Sequence, residues 1–158
     1  MSSGQELIAQ AIISRLTNGL PTATPPILPL DGMTTPHRSP TRPLDDDELP
    51  TYVVVVTENS EDDRDPEQAF ADSVWRRCAW VWVEFRGTAP SSDIDGAVDK
   101  ACDPWVDYAM SVLLSDQQLG GLCDMIEPDR VMYEGWQGQR AYVTAAMLFR
   151  VYYLASPI

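Results

Sequence analysis

The first periodic segment of the chain runs from Gln5 to Leu20. Apolar residues recur in it at helical spacing, with polar residues between them. The apolar positions are Leu7, Ile8, Ala11, Ile12, Leu16 and Leu20. This spacing predicts an amphipathic helix with one buried stripe. We expect the helix to end at Asn18-Gly19 and Pro21, because asparagine and glycine tolerate a left-handed conformation and proline cannot continue the hydrogen-bond ladder.

Two later segments have strand patterns. Thr51–Thr57 reads TYVVVVT, a continuous β-branched run that is typical of a strand buried on both faces. Val74–Phe85 alternates instead, and its second parity combines Trp80 and Trp82 with Glu84. We therefore predict one long strand whose second face is either partly covered or in contact with a partner.

A second amphipathic helix is predicted from Ile94 to Leu113. Pro104 should kink this helix or start a new segment that Asp103 caps. Four carboxylates recur along one face at four-residue spacing, namely Asp95, Asp99, Asp103 and Asp107. Such a line is compatible with metal or acid chemistry, but we favour a solvated or partner-facing ridge because that needs no unusual pKa.

Two further strands follow the glycine pair at 120–121. Leu122–Tyr133 has a strand pattern, which Pro128 confines to a sheet edge or to a bulge. Arg140–Leu154 predicts a long final strand with one continuous apolar face. The order of elements is thus helix, proline-rich segment, strand, strand, helix, strand, strand.

This order indicates a single α+β domain over residues 1–158. We expect a four-stranded, mostly antiparallel sheet with two main helices packed on it. The chain passes from the second strand to the third through a helix, so that pair can instead lie parallel, which would make the sheet mixed.

The segment 21–50 holds eight of the 13 prolines. Neither a helix nor a central strand persists through so many prolines, so we predict an extended proline-rich arm or loop. Segments of this length without regular structure are usually either functional or disordered. Either its own domain or a neighbouring chain would hold it in place.

Charge excludes several classes of function. The chain has 24 acidic and 11 basic residues, a net charge of −13, and Lys100 is its single lysine. Nucleic acid would repel such a chain, because neutralisation of phosphates dominates that kind of affinity. No apolar run approaches the ~18 residues of a membrane span, and the start lacks a basic region followed by an apolar stretch. We expect a protein made in the cytosol that has no membrane partner.

The usual reactive residues do not form a recognisable site. Cys78, Cys102 and Cys123 are odd in number and widely spaced, so we expect reduced core thiols rather than disulfides or a zinc site. His37 is the only histidine, and no nucleotide-binding, hydrolase or metalloprotease motif is present. The acidic run Glu58–Glu67 lacks the ligand order of a calcium loop. We therefore predict no catalytic residue, no cofactor and no metal, and a protein that is not an enzyme.

The organisation of residues 5–154 resembles the tail terminator proteins of long-tailed bacteriophages. This is the minor tail protein U-like family, to which the tail-completion proteins of the neck are similar. The resemblance rests on the order of the phrases LDDDELPTYVVVV, SSDIDGAVDKACDPWVDYAM, DQQLGGLCDMIEP and RAYVTAAMLFRVYYL. Its most telling parts are Leu49-Pro50 before the first strand and the Leu-Gly-Gly triplet at 119–121. The chain departs from the family in the segment 21–44, which is longer and richer in proline.

The resemblance implies a structural virion protein with no catalytic role. It would form a six-membered ring on the head-proximal end of the tail tube, stop tube polymerisation and present the surface that joins the neck. Its partners would be other copies of itself, the major tail tube protein and a neck or head-completion protein, with DNA passing through an acidic lumen without specific binding. It would be assembled in the host cytoplasm and found in the tail of the virion. A head-side connector or neck tail-completion protein is the alternative, followed by a small acidic enzyme or binding module.

The proline-rich segment supplies most of the predicted interface. Prolines restrict the unfolded chain, so ordering residues 22–44 against a neighbour costs less entropy than ordering a flexible loop. We hypothesise that these residues lie across an adjacent subunit or neck protein. The predicted interface residues are Ile27, Leu28, Leu30 and Met33 as apolar anchors, Arg38 and Arg42 as partners of acidic groups, and Trp80 and Trp82 on the second strand.

Overall fold

The computed structural model of the chain describes residues 4–39, 43–57, 75–89, 98–137 and 141–155. These residues form two α-helices and five β-strands, and the fold is α+β. The elements in chain order are α1 (Gly4–Asn18), β1 (His37–Arg38), β2 (Thr51–Val56), β3 (Trp75–Ala89), α2 (Val98–Leu114), β4 (Met125–Gln137) and β5 (Ala141–Ala155).

The strands form one mixed sheet in the order β1-β2-β3-β5-β4. β1 pairs with β2 in parallel, whereas the other three neighbouring pairs are antiparallel. β3 and β5 are paired over their whole length, from Trp75 opposite Ala155 to Ala89 opposite Ala141. The two longest strands therefore form the centre of the sheet.

Two details of the predicted sheet differ from the structure. The prediction of four strands is not confirmed, because the two-residue β1 adds a fifth at the edge. The crossover strands β3 and β4 are not neighbours either, since β5 lies between them. β5 is antiparallel to β4, with Gln137 opposite Ala141. The long apolar face of β5 favours a central position, in which a strand is paired on both sides. The parallel pair of the mixed sheet is β1 with β2 instead.

Both helices pack on the same face of the sheet, which we call the covered face. α1 buries Ile8, Ile12 and Leu16 there, and α2 buries a longer stripe. The sheet residues of this core include Tyr52, Val54, Ala79, Val81, Val83, Phe85, Val143, Ala145, Met147, Phe149 and Val151. α2 continues through Pro104, so proline does not start a new segment within it. No helix in the described part of the chain has the length and apolar character that a membrane crossing requires.

A tyrosine hydroxyl joins the two helices. The Tyr108 hydroxyl on α2 donates to the carbonyl oxygen of Leu16 at 2.7 Å. Leu16 lies in the last turn of α1, where carbonyl groups have no intrahelical partner. The helix ends at Asn18, where the sequence predicted its end, and Gly19 follows with a positive φ of 69°. The contact therefore satisfies a helix end that would otherwise be buried without a hydrogen bond.

The described part of the segment 21–50 lies on its own domain. Leu20 and Ile27 form an isolated antiparallel bridge, and the Thr34 amide donates to the Pro50 carbonyl oxygen at 2.9 Å. The segment also contributes β1 and a short 3-10 helix at Asp46–Glu48. An extended proline-rich arm is therefore not confirmed, because these backbone groups pair within the chain.

Candidate interaction surface

The face of the sheet opposite the helices, which we call the open face, carries a mixed set of side chains. Alternation along each strand places these residues away from the covered face. The middle of the open face is an apolar belt formed by Val55, Trp82, Leu148, Ala146 and Met132. Leu148 is 5% exposed within the belt, whereas Met132 on the edge strand β4 is 48% exposed. The belt is thus packed at its centre and accessible at β4.

One end of the open face is a charged cluster around Arg150. Its guanidinium lies 5.7 Å from the ring centroid of Trp80 and 3.1 Å from the Glu127 carboxylate. The Tyr152 hydroxyl donates to the same carboxylate at 3.0 Å. Trp80 is therefore held by a cation–π contact, and the charges beside it are paired.

The other end of the open face is a cavity of about 410 Å³. The segment after residue 42 forms one wall, and strands β3, β4 and β5 form the rest. Its lining is Pro43, Leu44, Asp46, Leu49, Glu84, Arg86, Gly87, Glu134, Tyr142, Val143 and Thr144. Arg86 donates to the Glu84 carboxylate at 3.0 Å, and the Tyr142 hydroxyl donates to the Asp46 carboxylate at 2.9 Å. The cavity therefore combines an apolar wall with several carboxylates.

The predicted apolar anchors of the proline-rich segment are not equivalent. Ile27, Leu30 and Met33 are partly buried and pack against the core of their own chain. Leu28 is 63% exposed. Of the four residues, Leu28 is the one that presents most of its surface to the outside.

The predicted basic and aromatic contacts occupy separate places. Arg38 lies on the same side of the sheet as α1, with its guanidinium 3.4 Å from the Glu6 carboxylate. Arg42 lies outside the described residues. Trp80 and Trp82 are half-buried on the open face, on the parity that their alternation predicted. The structure therefore does not bring the arginines and tryptophans together into one patch.

The line of aspartates on α2 forms an exposed ridge over the described residues Asp99, Asp103 and Asp107. Asp95 lies outside the described part of the chain. Burial raises the pKa of the nearby Tyr133 hydroxyl, and the ridge carboxylates raise it further. The ridge therefore disfavours a further negative charge on the Tyr133 hydroxyl.

The three cysteines are buried and carry reduced thiols. Burial is the main cause that raises the pKa of Cys102 to about 11 and that of Cys123 to about 12, and neighbouring aspartates add to it. These thiols are therefore protonated at neutral pH and are poor nucleophiles.

A small acidic cluster lies in the 3-10 turn. Carboxylate oxygens of Asp45, Asp47 and Glu48 lie within 4.8 Å of one another and are largely exposed. Glu48 also accepts a hydrogen bond from the Asp45 amide at 3.1 Å, as in a capping box. The hydrogen bond shows that these acidic residues lie close together because they form the turn. The acidic run Glu58–Glu67, considered above for calcium, lies outside the described residues.

The sequence pattern did not predict the cavity or the Arg150 cluster. The alternation that placed Trp80 and Trp82 on the second face also placed Glu84 there, so one wall of the cavity was visible in the pattern. The opposite wall comes from Asp46 and Leu49, about 40 residues earlier in the chain, and no local signal connects the two.

No protein-family model matches this chain, and no curated protein is significantly similar to it. The residues of the open face and the resemblance in the sequence are the grounds on which a function can be proposed.

Proposed function

We propose that this chain is a structural subunit that acts through its open face, and specifically a phage tail terminator. In this proposal six copies form a ring on the head-proximal end of the tail tube, stop tube polymerisation and present the surface that joins the neck. The apolar belt of the open face is the observation that carries the proposal. An accessible methionine opposite Ala146, at the edge of a face that also carries Leu148 and Trp82, is typical of a surface that another protein covers.

A closed ring needs two different surfaces on each subunit, one for each neighbour. The open face is one of them. The edge strand β4 supplies a second, because among the described strands it pairs with β5 alone. Its first half is protected by Pro128 and a bulge next to Arg130, whereas Val131–Gln137 continues without one. The two surfaces adjoin at Met132, whose side chain lies on the open face and whose backbone lies on the edge strand.

The net charge of −13 supports the same proposal. A ring of such chains has a negative lumen, through which DNA passes without adhering to the wall. The charge also disfavours association of free copies, because like charges repel one another. In this proposal the tube end acts as the template that brings the subunits together. We therefore expect the free protein to be either a monomer or a hexamer, and the protein bound to the tube end to be a hexamer.

Three single substitutions test which surface is used. Met132→Glu places a charge on the open face, Leu28→Glu places one on the proline-rich segment, and Leu7→Glu is the control on α1. All three positions are at least 40% exposed, so each variant should fold. The assay is the mass of the free protein together with imaging of the protein on purified tails. The proposal expects that Met132→Glu alone abolishes binding to tubes.

Other outcomes are equally informative. A loss caused by Leu28→Glu alone would assign the interface to the proline-rich segment instead. Binding to DNA-filled heads without tubes would favour the head-side connector, and turnover by a monomer would favour an enzyme. A stable dimer in both the free and the bound state contradicts the ring, because a two-fold pair uses one surface on both subunits and leaves none to close a ring.

A further inference from the structure

The cavity at the end of the open face has two kinds of wall. Pro43, Leu44 and Leu49 form an apolar wall, which suits the methylene stem of a long side chain. Carboxylates of Asp46, Glu84 and Glu134 line the same cavity, and Arg86 is the one basic residue among the described residues that line it. Among these described residues three acidic groups thus face one base. The lining has a surplus of negative charge and a volume of about 410 Å³, enough for one long side chain.

The carboxylates differ in how far they are already engaged. Glu84 pairs with Arg86, and Asp46 accepts a hydrogen bond from Tyr142. Among the contacts of the described residues, none involves the side chain of the exposed Glu134 on β4. Its backbone carbonyl does accept a bond from the Thr144 hydroxyl at 3.4 Å, which fixes the strand beside the cavity. Glu134 is therefore the carboxylate best placed to receive a cation from outside.

The described arginine side chains of this protein do not supply that cation, and its single lysine, Lys100, lies between Asp99 and Asp103 in the sequence of α2. Each of these arginines pairs with a carboxylate of its own chain. The pairs are Arg15 with Asp116, Arg38 with Glu6, Arg86 with Glu84, Arg130 with Asp129 and Arg150 with Glu127. With a net charge of −13, another copy is also a poor electrostatic match for an acidic cavity. Charge complementarity therefore favours a different, basic protein.

We infer that this cavity receives an arginine or lysine side chain from a basic segment of a partner protein. The stem lies against Leu44 and Leu49, and the cationic head meets Glu134 and Asp46. The identity of the partner rests on the proposed function, in which it is a neck or tail tube protein. The chemistry of the cavity does not rest on it, and the free chain is sufficient to test it.

The test titrates the isotope-labelled full chain with N-acetyl-arginine amide and follows backbone amide shifts. N-acetyl-citrulline amide is the matched probe, because it has nearly the same shape and no charge. We expect saturable shifts at Gly87 and Thr144 with the arginine probe, at a millimolar affinity suited to a single side chain. Glu134→Gln should weaken binding about threefold to fivefold, as expected for one partly exposed ion pair. Asp107→Asn, on the exposed ridge of α2, should leave it unchanged.

Three results would overturn the inference. They are equal shifts with the citrulline probe, an equal loss of affinity in Asp107→Asn, and the absence of a saturable shift up to about 50 mM of the arginine probe. None of them bears on ring formation. Conversely, a chain that binds the arginine probe but forms no ring would retain the cavity and lose the proposed function.

Discussion

The covered and open faces of the sheet are formed by the same strands but differ in how far their side chains are buried. On the covered face, residues such as Met147 and Phe149 are fully buried beneath two helices. On the open face, apolar residues alternate with paired charges, and Met132 is half exposed. Stability should therefore depend mainly on the covered face, while the open face contributes surface for contacts. Four predictions test this difference, beginning with the largest effect.

Two methionines on neighbouring strands give the most direct comparison. Met147→Ala on the covered face should cost about 2–5 kcal/mol, because it removes buried methylene groups and leaves a cavity in a packed core. Met132→Ala on the open face should change the free energy of unfolding by less than about 0.5 kcal/mol. Urea unfolding of both variants measures the difference. Equal losses would mean that the open face is as much a part of the core as the covered face.

Two tyrosine hydroxyls extend the comparison to hydrogen bonds. Tyr108→Phe should cost about 1–3 kcal/mol, because it leaves the buried Leu16 carbonyl at the end of α1 without its donor. Tyr142→Phe should cost less than about 0.5 kcal/mol, since the Asp46 carboxylate that accepts its bond is exposed to water. Thermal unfolding at neutral pH is the measurement. A larger loss for Tyr142 would show that the cavity wall stabilises the fold.

The buried thiols predict a loss of stability at alkaline pH. Their pKa values rise from the ordinary 9 to about 11 for Cys102 and about 12 for Cys123, so above pH 9 the unfolded chain releases protons that the folded chain retains. Stability is thus fully present below pH 9 and falls as the pH rises, by roughly 1 kcal/mol per thiol at pH 10. Urea unfolding of Cys123→Ala between pH 7 and pH 10 should show a shallower fall than the parent chain. An identical slope would contradict this assignment.

The smallest effect is expected at an exposed ion pair of the open face. Arg130 is paired with its neighbour Asp129 at 2.9 Å, but its side chain is 60% exposed. Arg130→Ala should change the free energy of unfolding by less than about 0.5 kcal/mol, and the change should shrink further in high salt. Denaturant unfolding at low and high ionic strength checks this. A change above about 1 kcal/mol would show that the bulged edge of β4 is part of the stable core.

The sequence pattern anticipated the local elements because their signals are local. The helical period of residues 5–20 predicted α1 and its buried residues Ile8, Ile12 and Leu16. The alternation around Trp80 and Trp82 predicted a long strand with two unlike faces, which is how β3 is built. Such periods depend on residues two to four positions apart, so the chain itself carries the information.

The tertiary structure alone decided the order of the strands and the place of the proline-rich segment. β5 lies between β3 and β4 in the sheet. Which strands become neighbours depends on how whole sheet faces pack together. Prolines limit regular structure in the described part of the segment 21–50 to β1 and one 3-10 turn. They do not determine which surface the segment lies on, and Ile27 packs on the core of its own chain. The cavity likewise joins Asp46 to Glu84 and Glu134, residues far apart in the sequence. Their proximity follows from long-range packing, which no local pattern encodes.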